Sequence, residues 1–179
     1  MRGTTELREA QLARLREWLP GVLRSNPFWR ARLHDVRGWD DFERLPLTTK
    51  ADVLADQAAH PPFGTNLTYP LDRYVRLHQT SGSSGDHPLR WLDTEESWSW
   101  WLRIWADHVY RAAGVGAGDR VFFAFSFGPF IGFWTAFGGA ERLGALAISG
   151  GGMTSEQRVR TMIDLRSTVV ECLRASNAV

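Results

Sequence analysis

One cysteine, Cys172, stands in 179 residues. That excludes an internal disulfide and a multi-cysteine metal site, and it suits a reducing compartment, the cytoplasm. No metal ligands are expected from this sequence. An excess of charge of one sign is also missing: 21 basic residues face 20 acidic ones, a net charge of +1. Nucleic-acid-binding modules carry a basic excess or stripe, so no nucleic-acid partner is expected. Residues 1–10 are polar and charged, without the apolar stretch of a signal peptide. Internal repeats and long low-complexity segments are absent. So is the phosphate-loop pattern G-x-x-x-x-G-K-[ST]. The G-x-S-x-G elbow is missing as well, and no acid is placed to orient His78 or His87. A hydrolase using a serine of residues 81–84 is therefore not expected.

One long uncharged run does occur, the twenty residues 121–140. Its length alone would suit a membrane span. Ser126, Gly128, Pro129 and Gly132 sit in its middle, with Asp119-Arg120 before it and Glu141-Arg142 after it. It is expected to be a buried strand, a tight turn and a buried helix, with no membrane partner. The hydrophobic content of 44% is enough for a sizeable core.

The most distinctive stretch is Thr80-Ser81-Gly82-Ser83-Ser84-Gly85. Glycines let a backbone turn tightly and approach a ligand closely. Successive amides in such a turn can converge on an anion, and hydroxyls add donors around it. The same composition also suits a flexible polar loop. Tyr74 to Leu77 leads into it as a strand candidate, and Leu89 to Leu92 leaves it as another.

Upstream, Leu12, Leu15, Leu19, Val22 and Leu23 recur at helical spacing, which predicts a helix over 5–24 that Pro20 ends or bends. Asn26-Pro27 reads as a cap and first helical proline, opening a helix to about Leu33. Residues 34–47 look irregular. Thr49 with Asp52 three residues on predicts the start of another short helix. After the loop, Asp93-Thr94-Glu95-Glu96 predicts a capped helix over 95–113. Trp98, Trp101, Leu102, Trp105, Val109 and Ala112 would form its apolar face, a packing stripe rather than a stacking platform. From Arg120 on, short apolar strands alternate with helices: strands at 120–125, 145–149 and 167–170, helices at 129–143 and 155–165. That alternation predicts an α/β fold with a parallel sheet, whose ligands sit beyond the carboxyl ends of the strands.

Together these residues resemble the phenylacetate–CoA ligase branch of the adenylate-forming enzymes. Thr80 to Gly85 is similar to that family's S-S-G-T-T-G-K-P loop. Leu45-Pro46-Leu47-Thr48-Thr49-Lys50 resembles its L-P-x-T-T-K, and Pro62-Phe63-Gly64 its P-F-G. Phe125 to Gly132 resembles Y-G-Y-G-L-F-T-G, Gly139 to Ala145 matches G-A-E-R-L-G-A, and Ser149-Gly150-Gly151 with Gln157 resembles S-G-G…Q. The matches run in the family's order along nearly the whole chain.

The resemblance implies a helical lead-in over 1–73, a partial AMP-binding core over 74–170 with an incomplete βαβαβ sheet, and an atypical tail over 171–179. It implies that ATP, with Mg²⁺, and a carboxylic acid give an acyl-adenylate, which CoA then attacks. Thr80, Ser81, Gly82, Ser83, Ser84 and Gly85 would hold the phosphates. Phe125, Phe127, Gly128 and Phe130 would line a pocket for an aromatic acid, whose flat rings apolar walls suit.

The chain also departs from the family. Asp86 stands where the family has lysine, and Pro88 arrives one residue late. Phe125 replaces a tyrosine. The Mg–ATP acid, the ribose-binding aspartate and the C-terminal-domain lysine have no match, so the catalytic residues are absent. The ending after Val170 looks unrelated, as a frameshift or truncated reading frame would produce. The expectation is an N-terminal ligase portion inactive by itself. The alternative is a binding or regulatory fragment, paired with a second copy or with a complementing chain.

Overall fold

The computed structural model describes residues 2–80 and 87–172, and it divides them into two compact units. The first takes the chain up to Tyr74 together with residues 87–91. The second takes residues 75–80 and the chain from Leu92 on.

In the first unit, helix α1 (Arg2–Ser25) runs straight through Pro20. Proline in a helix loses a hydrogen bond and crowds the preceding turn. Here the helix persists because Leu19, one residue earlier, is buried, and because the last turn is closed by Asn26 N donating to the Val22 carbonyl at 2.8 Å. Asn26 then caps α2 (Pro27–Arg30), its Oδ1 accepting from the Trp29 amide at 3.2 Å. Its Nδ2 donates to Asn66 Oδ1 and to Thr68 Oγ1, both at 3.0 Å.

Helix α3 (Trp39–Glu43) occupies part of the stretch expected to be irregular. Gly38 at its N-cap offers no side chain, so the sequence lacks the usual start signal; Asp40 and Asp41 supply the acidic first turn. Helix α4 (Lys50–Ala59) begins as expected, with Thr49 and Asp52 forming a reciprocal capping box. Beyond it, Asp56 accepts from both the amide and the hydroxyl of Thr65, at 2.7 and 2.6 Å. The Gln57 side chain binds the backbone of Arg90 through both its amide and its carbonyl.

The second unit carries the α/β fold. Strands β1 (Tyr74–Gln79) and β2 (Arg90–Thr94), which lie in this unit from Val75 and Leu92 on, pair in a two-stranded sheet. Helix α5 (Glu95–Ile104) follows, capped by Thr94, and passes into a π-helical segment, Trp105–Tyr110. A π turn takes about 4.4 residues instead of 3.6, from its wider i→i+5 closure. The expected apolar face therefore loses register: Val109 is 41% exposed and Ala112 is exposed, while Ala106 and Tyr110 are buried in their place.

Strand β3 (Arg120–Phe123) is the centre of a three-stranded parallel sheet. On either side lie β4 (Leu146–Ser149) and β5 (Val169–Glu171). Val121, Phe122 and Phe123 are wholly buried. Burying such side chains stabilises by about 1.5–3 kcal/mol each. Helix α6 (Ile131–Leu143) lies close against α5 and the π segment. The approach needs Gly139: a Cβ there would stand 2.5 Å from the Trp105 Cβ. Ala140, Leu143 and Ala145 complete the same buried cluster. The G-A-E-R-L-G-A stretch thus works as a packing motif. Residues 121–140 form a strand, a turn and most of a helix, and among the described residues no helix is long and apolar enough to cross a membrane. Helix α7 (Ser155–Asp164), with a second capping box from Thr154 and Gln157, connects β4 to β5.

Candidate functional site

Parallel pairing brings the carboxyl ends of three strands level. Phe123 lies opposite Ser149 on one side and Glu171 on the other. The turn after β4 folds back over this end, with Gly150 N donating to the Phe123 carbonyl at 2.9 Å. Only glycine fits there, because a Cβ would meet the Phe123 carbonyl and the Phe122 ring, each at 2.7 Å. Gly152 N reaches Ser126 Oγ at 3.4 Å. Arg158, one turn into α7, donates from Nε to the Gly150 carbonyl and from Nη1 to the Ala124 carbonyl, at 3.1 and 2.9 Å. It fastens two strand ends together, and sequence reasoning passed over it. Its nearest signal is its place just after Gln157 of the S-G-G…Q element.

Glu171 ends β5 at this level, and its backbone carbonyl accepts from Ala124 N at 2.9 Å. Burial pushes its carboxyl above the usual range. Burial, with the Glu171 charge, raises the Tyr110 phenol as well. That hydroxyl donates to the Ala136 carbonyl at 2.9 Å, inside the core.

The candidate pocket residues follow β3 in a run of aromatic contacts. Phe125, only 8% exposed, stacks on Phe133 at 4.5 Å and meets Phe123 and Phe127 at 5.7 and 5.4 Å. Phe127 is half-buried between Trp134 and Phe137, at 4.7 and 5.3 Å. Gly128 offers its carbonyl to the Trp134 indole N–H at 2.8 Å. Phe130, half-buried, lies edge-on to Phe133. Phe125 is thus part of the core, while Phe127, Gly128 and Phe130 lie nearer the surface.

Of the candidate phosphate-binding residues, Thr80 is described; Ser81, Gly82, Ser83, Ser84, Gly85 and the substituted Asp86 lie outside the described residues. Gln79, the last residue of β1, donates its amide to the Pro129 carbonyl at 2.8 Å. The strand that feeds the loop is therefore hydrogen-bonded to the aromatic turn. On the far side, His87 and Arg90 line a cavity of about 540 Å³ in the helical unit, with Leu54, Ala58 and Pro61.

Immediately before Gln79, His78 is buried against Asp93 of β2, with Nε2 at 3.9 Å from Oδ2. The expectation that no acid faces either histidine therefore fails for His78. The partner is fifteen residues away in sequence, across a pairing of β1 with β2 that no local pattern specifies. Among the described residues, no group of three histidine, cysteine or acidic side chains could hold a metal ion.

No family model matches the chain. A crystal structure of a 2-hydroxyisobutyryl-CoA ligase with 2-HIB-AMP and CoA, in an open conformation, matches with a TM-score of 0.83 and 28% identity, over 93% of this chain and 40% of that one. The postadenylation form of that enzyme with 2-HIB-AMP matches with a TM-score of 0.82. The fold is that of the adenylate-forming CoA ligases. Phenylacetate-coenzyme A ligases from Thermus thermophilus and Escherichia coli are each 31% identical to the chain, over 93% and 92% of its length. The chain is a homologue of the phenylacetate–CoA ligases, and it spans 38% of the length of these two relatives.

Proposed function

We propose that the chain is the N-terminal portion of an AMP-forming acid–CoA ligase. In the complete enzyme, ATP and a carboxylic acid form an acyl-adenylate, and CoA takes the acyl group. Residues 80–85 cradle the phosphates, where amides and hydroxyls stabilise charge on the departing pyrophosphate. Phe127, Gly128 and Phe130, backed by Phe125, form the acid side of the site, and their apolar character favours an aromatic acid. Residues 1–73 act as a lead-in to a partial adenylation core over 74–170, and 171–179 as a divergent tail. The setting is cytoplasmic.

The observation that carries this reading is the Gln79–Pro129 hydrogen bond, which draws the root of the loop to the aromatic turn at the carboxyl ends of the strands. That is where ligands bind in parallel sheets. Without the groups that hold adenosine and orient the carboxylate, positioning fails, and positioning supplies much of such catalysis. The chain alone therefore binds Mg-ATP weakly and turns nothing over. Titration calorimetry with Mg-ATP checks this. Binding is expected, weakened about threefold to tenfold in Thr80→Ala or Ser83→Ala, without phenylacetate-dependent ATP–pyrophosphate exchange. A folded chain that gives no heat with Mg-ATP would overturn the loop assignment, and measurable exchange would overturn the inactivity.

A second reading has its own support. Val159, Ile163 and Leu165 are exposed in and just beyond α7, as is Val170 on β5. Apolar side chains beside an edge strand favour pairing with further polypeptide, supplied by a complementing chain. Co-purification of a chain carrying the remaining ligase motifs would distinguish this arrangement.

A further inference from the structure

His78 is 5% exposed and Asp93 3%, yet neither ring nitrogen of His78, nor Oδ2 of Asp93, has a hydrogen-bond partner. Buried polar groups nearly always find partners, and leaving one without is costly. The imidazole is held nonetheless. It stacks on the Trp98 indole at 5.3 Å and 27°, and Arg76 covers the same indole. Asp93 is oriented by Ser97, whose hydroxyl donates to Oδ1 at 3.0 Å, leaving Oδ2 turned to the histidine. The next residue, Gln79, is bonded to the Pro129 carbonyl, and the one after that is Thr80.

We propose that His78 is a positioning residue for the phosphate loop: its imidazole, flanked by Asp93 and by the Pro129 carbonyl, fixes the end of β1 from which Thr80 departs. A shift of about 1 Å brings Nε2 and Oδ2 within hydrogen-bonding distance. One N–H then joins β1 to β2 two residues before Thr80. This inference rests on the reading of residues 80–85 as a phosphate loop.

The charged and titratable groups facing the imidazole are Asp93 on β2 and Arg76 on β1; α5 contributes the Trp98 ring and the aromatic turn a backbone carbonyl. Burial pulls the imidazole below its usual range, more than Asp93 raises it, so at pH 7 it is neutral and carries a single N–H. Acidification adds a second N–H and a charge, which changes how the strand end is held. Loop function therefore depends on pH through this residue.

The test is calorimetry of the 179-residue chain with Mg-ATP and with pyrophosphate across about pH 5–8, where histidine titrates. The variants are His78→Leu, His78→Gln and Asp93→Asn. Glutamine places an amide N–H near the position of Nε2 but does not titrate. His78→Leu is expected to weaken both ligands by about tenfold. His78→Gln should restore affinity to within about threefold of wild type while removing the extra pH dependence; Asp93→Asn also removes it. Ligand protonation cancels in the ratio of variant to wild type. Equal affinities and parallel pH profiles for wild type and His78→Leu would overturn the proposal.

Hydrogen exchange of the ligand-free chain separates this outcome from failure of the loop reading itself. Amides of residues 77–80 should exchange faster in His78→Leu, and those of β3 should not. Unchanged exchange at 77–80 refutes the positioning role, whether or not the chain binds Mg-ATP. No binding together with selectively faster exchange keeps the role and discards the phosphate loop.

Discussion

In the helical unit one of the most buried side chains is polar. Asn26, at 1% exposure, makes three side-chain hydrogen bonds. Among the described residues of the α/β unit, Val121, Phe122, Phe123 and Ala140 are at 0% exposure, and the one comparably buried polar side chain, Thr135, returns its hydroxyl to its own helix at the Ile131 carbonyl. The two units meet the cost of ordering a chain in different ways. The first joins short helices and loops through side-chain bonds to backbone: Asn26 to α2, Asp56 to Thr65, Gln57 to Arg90, Tyr74 to the amides of Thr68 and Tyr69. The second excludes water around one central strand. Hydrogen bonds of the first kind each contribute about 1 kcal/mol net, but their loss leaves buried partners unsatisfied. Apolar packing of the second kind is lost in larger steps when a side chain is truncated.

The largest effect should come from Phe123→Ala. This ring touches Phe125, Phe127 and Phe137, at 5.7, 6.4 and 5.0 Å. Its removal should cost about 3–5 kcal/mol, read as a lower urea midpoint by tryptophan fluorescence. A loss below about 1 kcal/mol would mean that the sheet is not the mechanical centre of the α/β unit. Asn26→Ala should come second, at about 2–3 kcal/mol, from the lost cap and the stranded Asn66 and Thr68 groups. Hydrogen exchange should then accelerate in α2 and around residues 66–68 while β3 keeps its protection. Equal acceleration in both units would erase the distinction between them.

The same contrast explains what the sequence disclosed. The features of the helical unit that depend on neighbours in the chain were legible. Asn26-Pro27 and Thr49 with Asp52 cap the helices expected of them, because a cap is made within four residues. Strand and helix order in the α/β unit was legible too, since β3, β4 and β5 are short apolar runs between helical patterns. Phase was not. The π segment turns Tyr110 inward and Val109 outward, and it packs at Gly139 against a helix more than twenty residues away. Helix α3 escaped because Gly38 gives no side-chain signal. At the candidate site, the family-like loop and aromatic turn could be found by pattern. Their connection through Gln79 and Pro129, the anchoring by Arg158 and the His78–Asp93 contact are made across strands and turns, so the pattern is silent about them.

The smallest expected effect concerns acid. In the helical unit, the Arg37 amide holds the Asp41 carboxyl below the ordinary 3.8, and the Thr49 amide and hydroxyl do the same for Asp52. A lowered carboxyl contributes stability that is present above 3.8 and lost as pH falls through the depressed value. In the α/β unit, Asp119 behaves in the same way through the Gly116 amide. The buried Asp93 and Glu171 carboxyls do the reverse: burial raises them, so ionised they cost stability, and that cost is relieved as pH falls toward 3.8 and 4.5. His78 adds a separate window. Burial lowers it from 6.5, so below that pH the unfolded chain takes a proton that the folded chain refuses. Stability from this source is lost as pH falls from 6.5 to the depressed value. Urea midpoints measured from pH 7 downward should therefore decline first through His78, and His78→Gln should remove that first decline. Asp52→Asn should remove only a part that begins below 3.8. Parallel curves for wild type and His78→Gln above pH 5 would show that the buried histidine does not set the acid response of the α/β unit.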